Sequence, residues 1–227
     1  MAAQQNISRE KAKSYIMQSL VTIDDKIVTK PAFLCELTDH PALLPSKDFV
    51  SRGGFKLEQA LTGFNIDPKG KICMDFGAST GGFVQCLLEK GAAKVFAVDV
   101  SNRLDHSLKN HEAVEFIEGN IRYLDLPVVQ IITIDLSFIS LIHIMHKAYI
   151  SLEEGGFCLA LVKPQFETRI HKKGIVKSPK VRAQTVEKIK IHCKDLGFEV
   201  VNEMPCTLAG KKGNVEYFLC LNKDIHR

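Results

Sequence analysis

None of the chain's seven cysteines (Cys35, Cys73, Cys86, Cys158, Cys193, Cys206 and Cys220) stands in a C-x-x-C pair. An odd number without that spacing argues against a zinc site or a disulfide framework and for buried free thiols in a reducing cytosol. No apolar run approaches the roughly 20 residues that span a bilayer. The N-terminus lacks the basic start and apolar centre of a signal peptide. A soluble, cytoplasmic protein with no membrane partner is therefore expected. There is no internal repeat, no low-complexity tract, and no G-K-[ST] that would make a phosphate-cradling loop. Large excess charge is also missing. Thirty Lys and Arg face 26 Asp and Glu, for a net charge of +4. That mild basicity is compatible with a nucleic-acid partner without establishing one. The 227 residues are 45% hydrophobic and 25% charged, enough for one sizeable core and a small appendage.

The central stretch is Met74-Asp75-Phe76-Gly77-Ala78-Ser79-Thr80-Gly81-Gly82-Phe83. An apolar run leads in and a helical pattern leads out, so it reads as a strand, a glycine-rich turn and a helix N-terminus. Val95-Phe96-Ala97-Val98-Asp99 is a second strand that ends in a carboxylate. That acid follows the glycines by roughly 20 residues, where a nucleotide-binding sheet holds ribose hydroxyls. Strands are expected at 72–76, 94–99, 114–118, 130–135 and 156–163, and helices at 54–63, 82–90, 102–110, 138–151 and 180–196. Such alternation means an α/β fold with a parallel sheet covered on both faces. Residues 198–203 and 215–221 are joined without a helix, so a hairpin should make the last strand antiparallel. Residues 1–48 form a separate unit. Ser8 can cap a helix bearing Ala12, Ile16 and Leu20, and Val21 to Val28 reads as a hairpin around Asp24-Asp25.

Ligands in open α/β sheets sit beyond the carboxyl ends of the strands. The polar residues there are Asp75, Asp99, Glu118-Gly119-Asn120, Asp135 and Lys163. Asp135 and Lys163 form a possible acid/base pair. Partial desolvation beside other cations suits a lysine to act as a base. Plainer roles exist: Asp99 capping the 102–110 helix, Asp135 capping the next one, and Lys163 in a surface salt bridge. The glycine pattern, D-x-G-A-S-x-G-G-F, is not G-x-G-x-x-G. By itself the turn does not separate a dehydrogenase from a methyltransferase.

Five motifs carry a resemblance. Ser51-Arg52-Gly53-Gly54-x-Lys56-Leu57, the glycine turn from Asp75, Asp135-x-Ser137-Phe138-Ile139-Ser140-Leu141, Leu161-Val162-Lys163-Pro164-Gln165-Phe166-Glu167 and Gly213-Asn214-x-Glu216 resemble the TlyA family. These are FtsJ-like ribose 2′-O-methyltransferases of ribosomal RNA, often labelled hemolysins. The likeness covers 49–227. It implies a Rossmann-like seven-stranded methyltransferase sheet and S-adenosylmethionine as cofactor. Asp75, Gly77, Ala78, Ser79, Thr80, Gly81, Gly82, Phe83, Asp99, Asn120 and Asp135 would then line the cofactor site. It further implies a catalytic tetrad of Lys56, Asp135, Lys163 and Glu216. Because the sulfonium leaves as a neutral thioether, the reaction implies no metal.

The family usually begins with an S4 domain. Ser8-Arg9-Glu10-Lys11-Ala12 and Ile27-Val28-Thr29-Lys30-Pro31 resemble parts of it, so residues 1–48 read as a truncated S4-like RNA-binding region. Ribosomal RNA or ribosomal subunits are the implied partner, with a cytidine ribose as the implied target. The candidate RNA contacts are Arg9, Lys11, Lys13, Arg52, Lys172, Lys173, Lys177, Lys211 and Lys212, set against a solvated basic surface as the plainer reading. A non-catalytic ribosome-assembly factor, a cytolysin and an NAD-dependent enzyme are the competing readings.

Overall fold

Apolar, β-branched runs that alternate with amphipathic helices are best buried as a sheet with helices on both faces. The computed structural model has this arrangement; it describes residues 9–17, 21–24, 26–28, 30–34, 36, 38–43, 49–208, 210 and 213–223. The chain divides into two units, Met1–Asp48 and Phe49–Arg227.

In the first unit, α1 (Arg9–Met17) buries Ala12 and exposes Arg9 and Lys13. Ser8, Leu20 and the Lys11 side chain lie outside the described residues. The expected hairpin is present as β1 (Val21–Ile23) and β2 (Lys26–Val28), turning at Asp24 with φ 47°. Asp25 is outside the described residues. A third strand, β3 (Pro41–Leu43), pairs with the other side of β1. The prolines around it hid that strand from sequence reading.

The second unit holds a seven-stranded sheet. Five strands run parallel: β4 (Ile72–Phe76), β5 (Lys94–Asp99), β6 (Val114–Glu118), β7 (Val129–Ile134) and β8 (Leu152–Val162). After β9 (Phe198–Pro205), the last strand β10 (Tyr217–Lys223) inserts antiparallel between β8 and β9. The spatial order is β6-β5-β4-β7-β8-β10-β9. Alternate residues of the central strands feed two cores. Met74, Phe76, Ile132 and Ile134 pack on one face with Met145 and Ile189. Cys73, Ile131, Leu159 and Leu161 pack on the other with Leu57, Leu61 and Leu87. Each such side chain stabilises the fold by about 1.5–3 kcal/mol. The six described cysteines are free and buried. Burial pushes the Cys73 and Cys193 thiols up to about 12, so they stay protonated at neutral pH.

Chain order reverses at β4, flanked by β5 on one side and β7 on the other. This switch point opens a crevice at the carboxyl ends of β4 and β7. The helix α2 (Gly53–Phe64) packs over it beside α3 (Gly82–Glu89). A Cβ on Gly82 would stand 2.1 Å from Ser51 Oγ and 2.9 Å from the Gly54 nitrogen. Only glycine permits this approach, which presses the Ser51-Arg52-Gly53-Gly54 segment onto the glycine turn.

Three expected elements differ in extent. The 102–110 helix shrinks to α4 (His106–Lys109), because the Asp105 carboxylate accepts the Ser107 N–H at 2.9 Å and starts the helix late. The 138–151 helix is split into a 3₁₀ turn (Leu141–His143) and α5 (Met145–Ile150). There, Phe138 adopts φ 67° and the Glu167 carboxylate captures Ser140 Oγ and the Leu141 N–H, which an unbroken helix would not present. Finally, β8 begins at Leu152, which pairs with Val129, earlier than expected, because Glu153-Glu154-Gly155-Gly156 masks the start of the strand.

Candidate active site

The glycine turn is fastened to the neighbouring strand. The N–H groups of Gly77 and Ala78 both donate to the Val98 carbonyl, at 2.8 and 3.2 Å. Asp99, at the end of β5, accepts from Ser79 N at 2.9 Å and Ser101 N at 3.1 Å. It therefore ties two loops together and does not cap α4, the role that falls to Asp105. Gly81 precedes α3 with φ 97°, a left-handed conformation that suits glycine.

Next to the turn, four charged side chains form two pairs. Lys56 lies on the buried face of α2, in step with Leu57, Ala60 and Leu61. Its Nζ donates to Glu216 Oε2 at 2.6 Å, and the two side chains are only 9% and 3% exposed. Lys163 follows β8 and pairs with Asp135, which follows β7; it also donates to Ser137 Oγ at 3.1 Å. Gln165 donates to the other Glu216 oxygen at 3.2 Å. The plainer reading of Lys163 as half of a surface salt bridge does not survive, because the residue is buried. Asp135 likewise serves Lys163, while Ser140 caps the next turn.

All four charged residues line one cavity of about 320 Å³, which also takes in Arg52, Asp75, Gly77, Ala78, Ser79, Thr80, Gly82 and Phe83. Gly81, Asp99 and Asn120 are not among its lining. Asn120 Oδ1 instead accepts from Arg122 N and Nε at 3.2 and 3.3 Å. A wider groove of about 810 Å³ continues past Phe138 and Phe166 toward Arg169 and Lys188. The two phenyl rings, with centroids 5.1 Å apart, stand where the cavities meet. Among the described residues no group of His, Cys, Asp or Glu could hold a metal ion, and no helix is long and apolar enough to cross a membrane.

Asp75 is 1% exposed, and Thr133 Oγ1 donates to it at 2.7 Å. Burial pushes its carboxyl up to about 8; the Thr133 hydrogen bond opposes this, and the charges of Asp135 and Asp99 add to it. The folded state thus keeps a proton that an unfolded aspartate loses near pH ~4. The stability this contributes is present in full below the unfolded value and is lost as pH rises through about 8. Wild-type stability should therefore decline between pH 5 and 8, and Asp75→Asn should flatten that decline. Urea unfolding of both proteins across this range checks it; equally steep curves would assign the dependence to other groups.

Sequence reasoning gave no individual role to Ser137, Gln165 or Thr133. The first two stand within two residues of Asp135 and Lys163, and that proximity was the available signal. Thr133 carries none, since it looks like any β-branched strand residue. Among the proposed RNA contacts, Lys172, Lys173 and Lys177 are exposed beyond α6 (Pro164–Glu167). Lys211 and Lys212 lie outside the described residues.

The chain is similar to several known proteins. The FtsJ-like methyltransferase family model matches residues 49–223. The 16S/23S rRNA (cytidine-2′-O)-methyltransferase TlyA of Mycobacterium tuberculosis is 37% identical over 97% of this chain and 86% of its own length. A protein named Hemolysin A from Brachyspira hyodysenteriae is 36% identical over 92% of each. A solved structure of a hemolysin candidate from Streptococcus thermophilus superposes with a TM-score of 0.78 at 35% identity, covering 96% of this chain and 84% of that one.

Proposed function

The chain belongs to the FtsJ-like methyltransferase family, and from that premise we propose that it transfers a methyl group from S-adenosylmethionine to a ribose 2′-hydroxyl of ribosomal RNA. A cytidine is the proposed target, in keeping with the Mycobacterium tuberculosis relative. The observation that carries this reading is the convergence of Lys56, Asp135, Lys163 and Glu216 on the cavity beside the glycine turn.

The residues present suit the cofactor. The cavity is lined by residues 77–80 next to carboxylates and cations, and its size falls within the roughly 300–1,000 Å³ of small-molecule sites. Gly77 to Phe83 would hold the cofactor's methionine part, with Asp75 beneath; Asp99 and Asn120 would take its ribose side. When bound, S-adenosylmethionine supplies a sulfonium methyl and leaves as a neutral thioether. Lys163, held by Asp135 and Ser137, has a third N–H free to orient the 2′-oxygen. As the oxygen–methyl bond forms, the hydroxyl proton passes to the Asp135 carboxylate, because the Lys163 ammonium has no lone pair to receive it. Lys56 and Glu216 hold the ribose and leave the site's charge balanced. Alignment of nucleophile and methyl supplies most of the acceleration.

The exposed lysines at 172, 173 and 177 would grip backbone phosphates, and Arg52 would do so at the cavity rim. Residues 1–48 would act as a truncated S4-like RNA-binding region, with Arg9, Lys11 and Lys13 as contacts. Lys172→Glu together with Lys173→Glu should weaken RNA binding and reduce the slope of log K against log salt by about 2. Filter binding from low to high KCl measures this, and an unchanged slope would leave those lysines as a solvated surface.

The decisive experiment is tritiated-methyl transfer to ribosomal subunits and bare ribosomal RNA, with mapping of the modified nucleoside. Label on a ribose 2′-oxygen is the expected result; no transfer to either substrate overturns the reading. Erythrocyte lysis by purified, detergent-free protein would instead favour the activity in the name of the Brachyspira relative.

A further inference from the structure

The basic segment after Lys163 reads in sequence as a loop, yet it is built as a small hairpin. Lys172 and Ile175 exchange two backbone hydrogen bonds of 3.0 Å. The two residues between them, Lys173 and Gly174, have φ of 52° and 78°. Such a left-handed pair matches the twist of a tight two-residue hairpin. A lone two-stranded hairpin is only marginally stable in water, so something else must hold this one.

That support comes from Asn214, about 40 residues further along the chain. Its side chain is 3% exposed and uses both ends of its amide on the hairpin. Oδ1 accepts from Val176 N at 3.0 Å, and Nδ2 donates to the Gly174 carbonyl at 2.8 Å. Both partners are backbone groups of fixed polarity, so the amide has one sensible orientation. Val176 is itself buried. From α7 (Pro179–Leu196), Arg182 Nη1 donates to the carbonyls of Val176 and Lys177, each at 3.2 Å.

Asn214 is anchored equally firmly on the side of the active site. Its carbonyl accepts the Gly210 N–H at 2.8 Å. A Cβ on Gly210 would lie 2.0 Å from Glu216 Oε1, so this loop packs directly on the carboxylate. The Glu216 carbonyl accepts from Cys206 N at 2.8 Å. A merely solvated loop requires no buried amide from a distant loop to fasten it.

We propose that Asn214 is a positioning residue that locks the cationic hairpin at 172–175 to the loop carrying Glu216, setting the RNA-gripping lysines at a fixed reach from the active site. The part concerning RNA rests on the function proposed above. The lock itself does not, and the experiment separates the two.

Limited trypsin digestion of the free protein, followed by mass spectrometry, reads the lock directly. Asn214→Ala should speed cleavage after Lys172 and Lys173 by about tenfold, because cleavage follows the population of the opened segment. In steady-state methyl transfer to ribosomal subunits, the same variant should raise KM about tenfold and change kcat by less than about threefold. Its S-adenosylmethionine affinity, measured by calorimetry, should match wild type. In a Lys172→Glu, Lys173→Glu background the KM effect should vanish, since Asn214 would then have nothing to position. Asn214→Asp keeps the acceptor for Val176 N but sets a carboxylate against the Gly174 carbonyl; it should show the same pattern and serves if the alanine variant does not fold. Unchanged cleavage, or a KM effect that persists in the charge-reversed background, overturns the proposal. Absence of methyl transfer by the wild type would refute the proposed function, and the trypsin result would still decide the lock.

Discussion

Lys163→Ala is expected to lower methyl transfer by about a thousandfold or more while leaving S-adenosylmethionine binding within about threefold. Lys163 lines the same cavity as the glycine turn and is 8% exposed, with its ammonium held by Asp135 and Ser137. Nothing ties it to the backbone of 77–80, which would hold the cofactor, so its removal should spare cofactor binding. What disappears is the group that orients the 2′-hydroxyl and holds Asp135, whose carboxylate receives the proton. Lys163→Arg should not rescue the activity, because a planar fork cannot replace a compact ammonium between two acceptors. Single-turnover methyl transfer and calorimetry on each variant decide the matter. Activity near wild type in the alanine variant would remove Lys163 from the mechanism.

Glu216→Ala is expected to cost about 3–5 kcal/mol of stability, because it strands the buried Lys56 ammonium without a partner. For a chain of this length that corresponds to a fall in Tm of roughly 6–20 °C. The basis is the 2.6 Å Lys56–Glu216 contact between side chains 9% and 3% exposed. Lys56→Met combined with Glu216→Leu should recover most of the stability, since a packed apolar pair avoids the desolvation penalty of two charges. That double variant should still be inactive. Thermal unfolding and methyl transfer, measured together, separate the two roles. A stable and active double variant would make the pair structural alone.

These two pairs differ in how visible they were before folding. Asp135 and Lys163 each follow an apolar strand at once, and strand ends are where an α/β sheet exposes its ligands. Their position could thus be reasoned from periodicity. Lys56 and Glu216 could not be paired that way. They are 160 residues apart and meet because β10 slides between β8 and β9. Only the family resemblance placed them in one site, and the structure supplies their contact. For Asp99, periodicity gave the position and the structure adds the partners. The residue was correctly placed at a strand end, but its carboxylate is engaged by the N–H groups of Ser79 and Ser101, and it stands outside the cavity lining.

The sequence by itself determined the alternation of strands and helices, the glycine turn and the charged strand ends. Each depends on neighbours within a few residues, through side-chain periodicity and backbone freedom. Tertiary structure alone decided the rest. It broke the 138–151 helix where Glu167 captured Ser140 and Leu141. It buried Asp75 deeply enough to hold its proton to about pH 8. It closed Asn214 onto a hairpin some 40 residues away. These outcomes follow from burial, where a polar group removed from water must find its partner wherever the packed chain brings one. The glycine turn remains where the sequence put it; what it faces was settled by the fold.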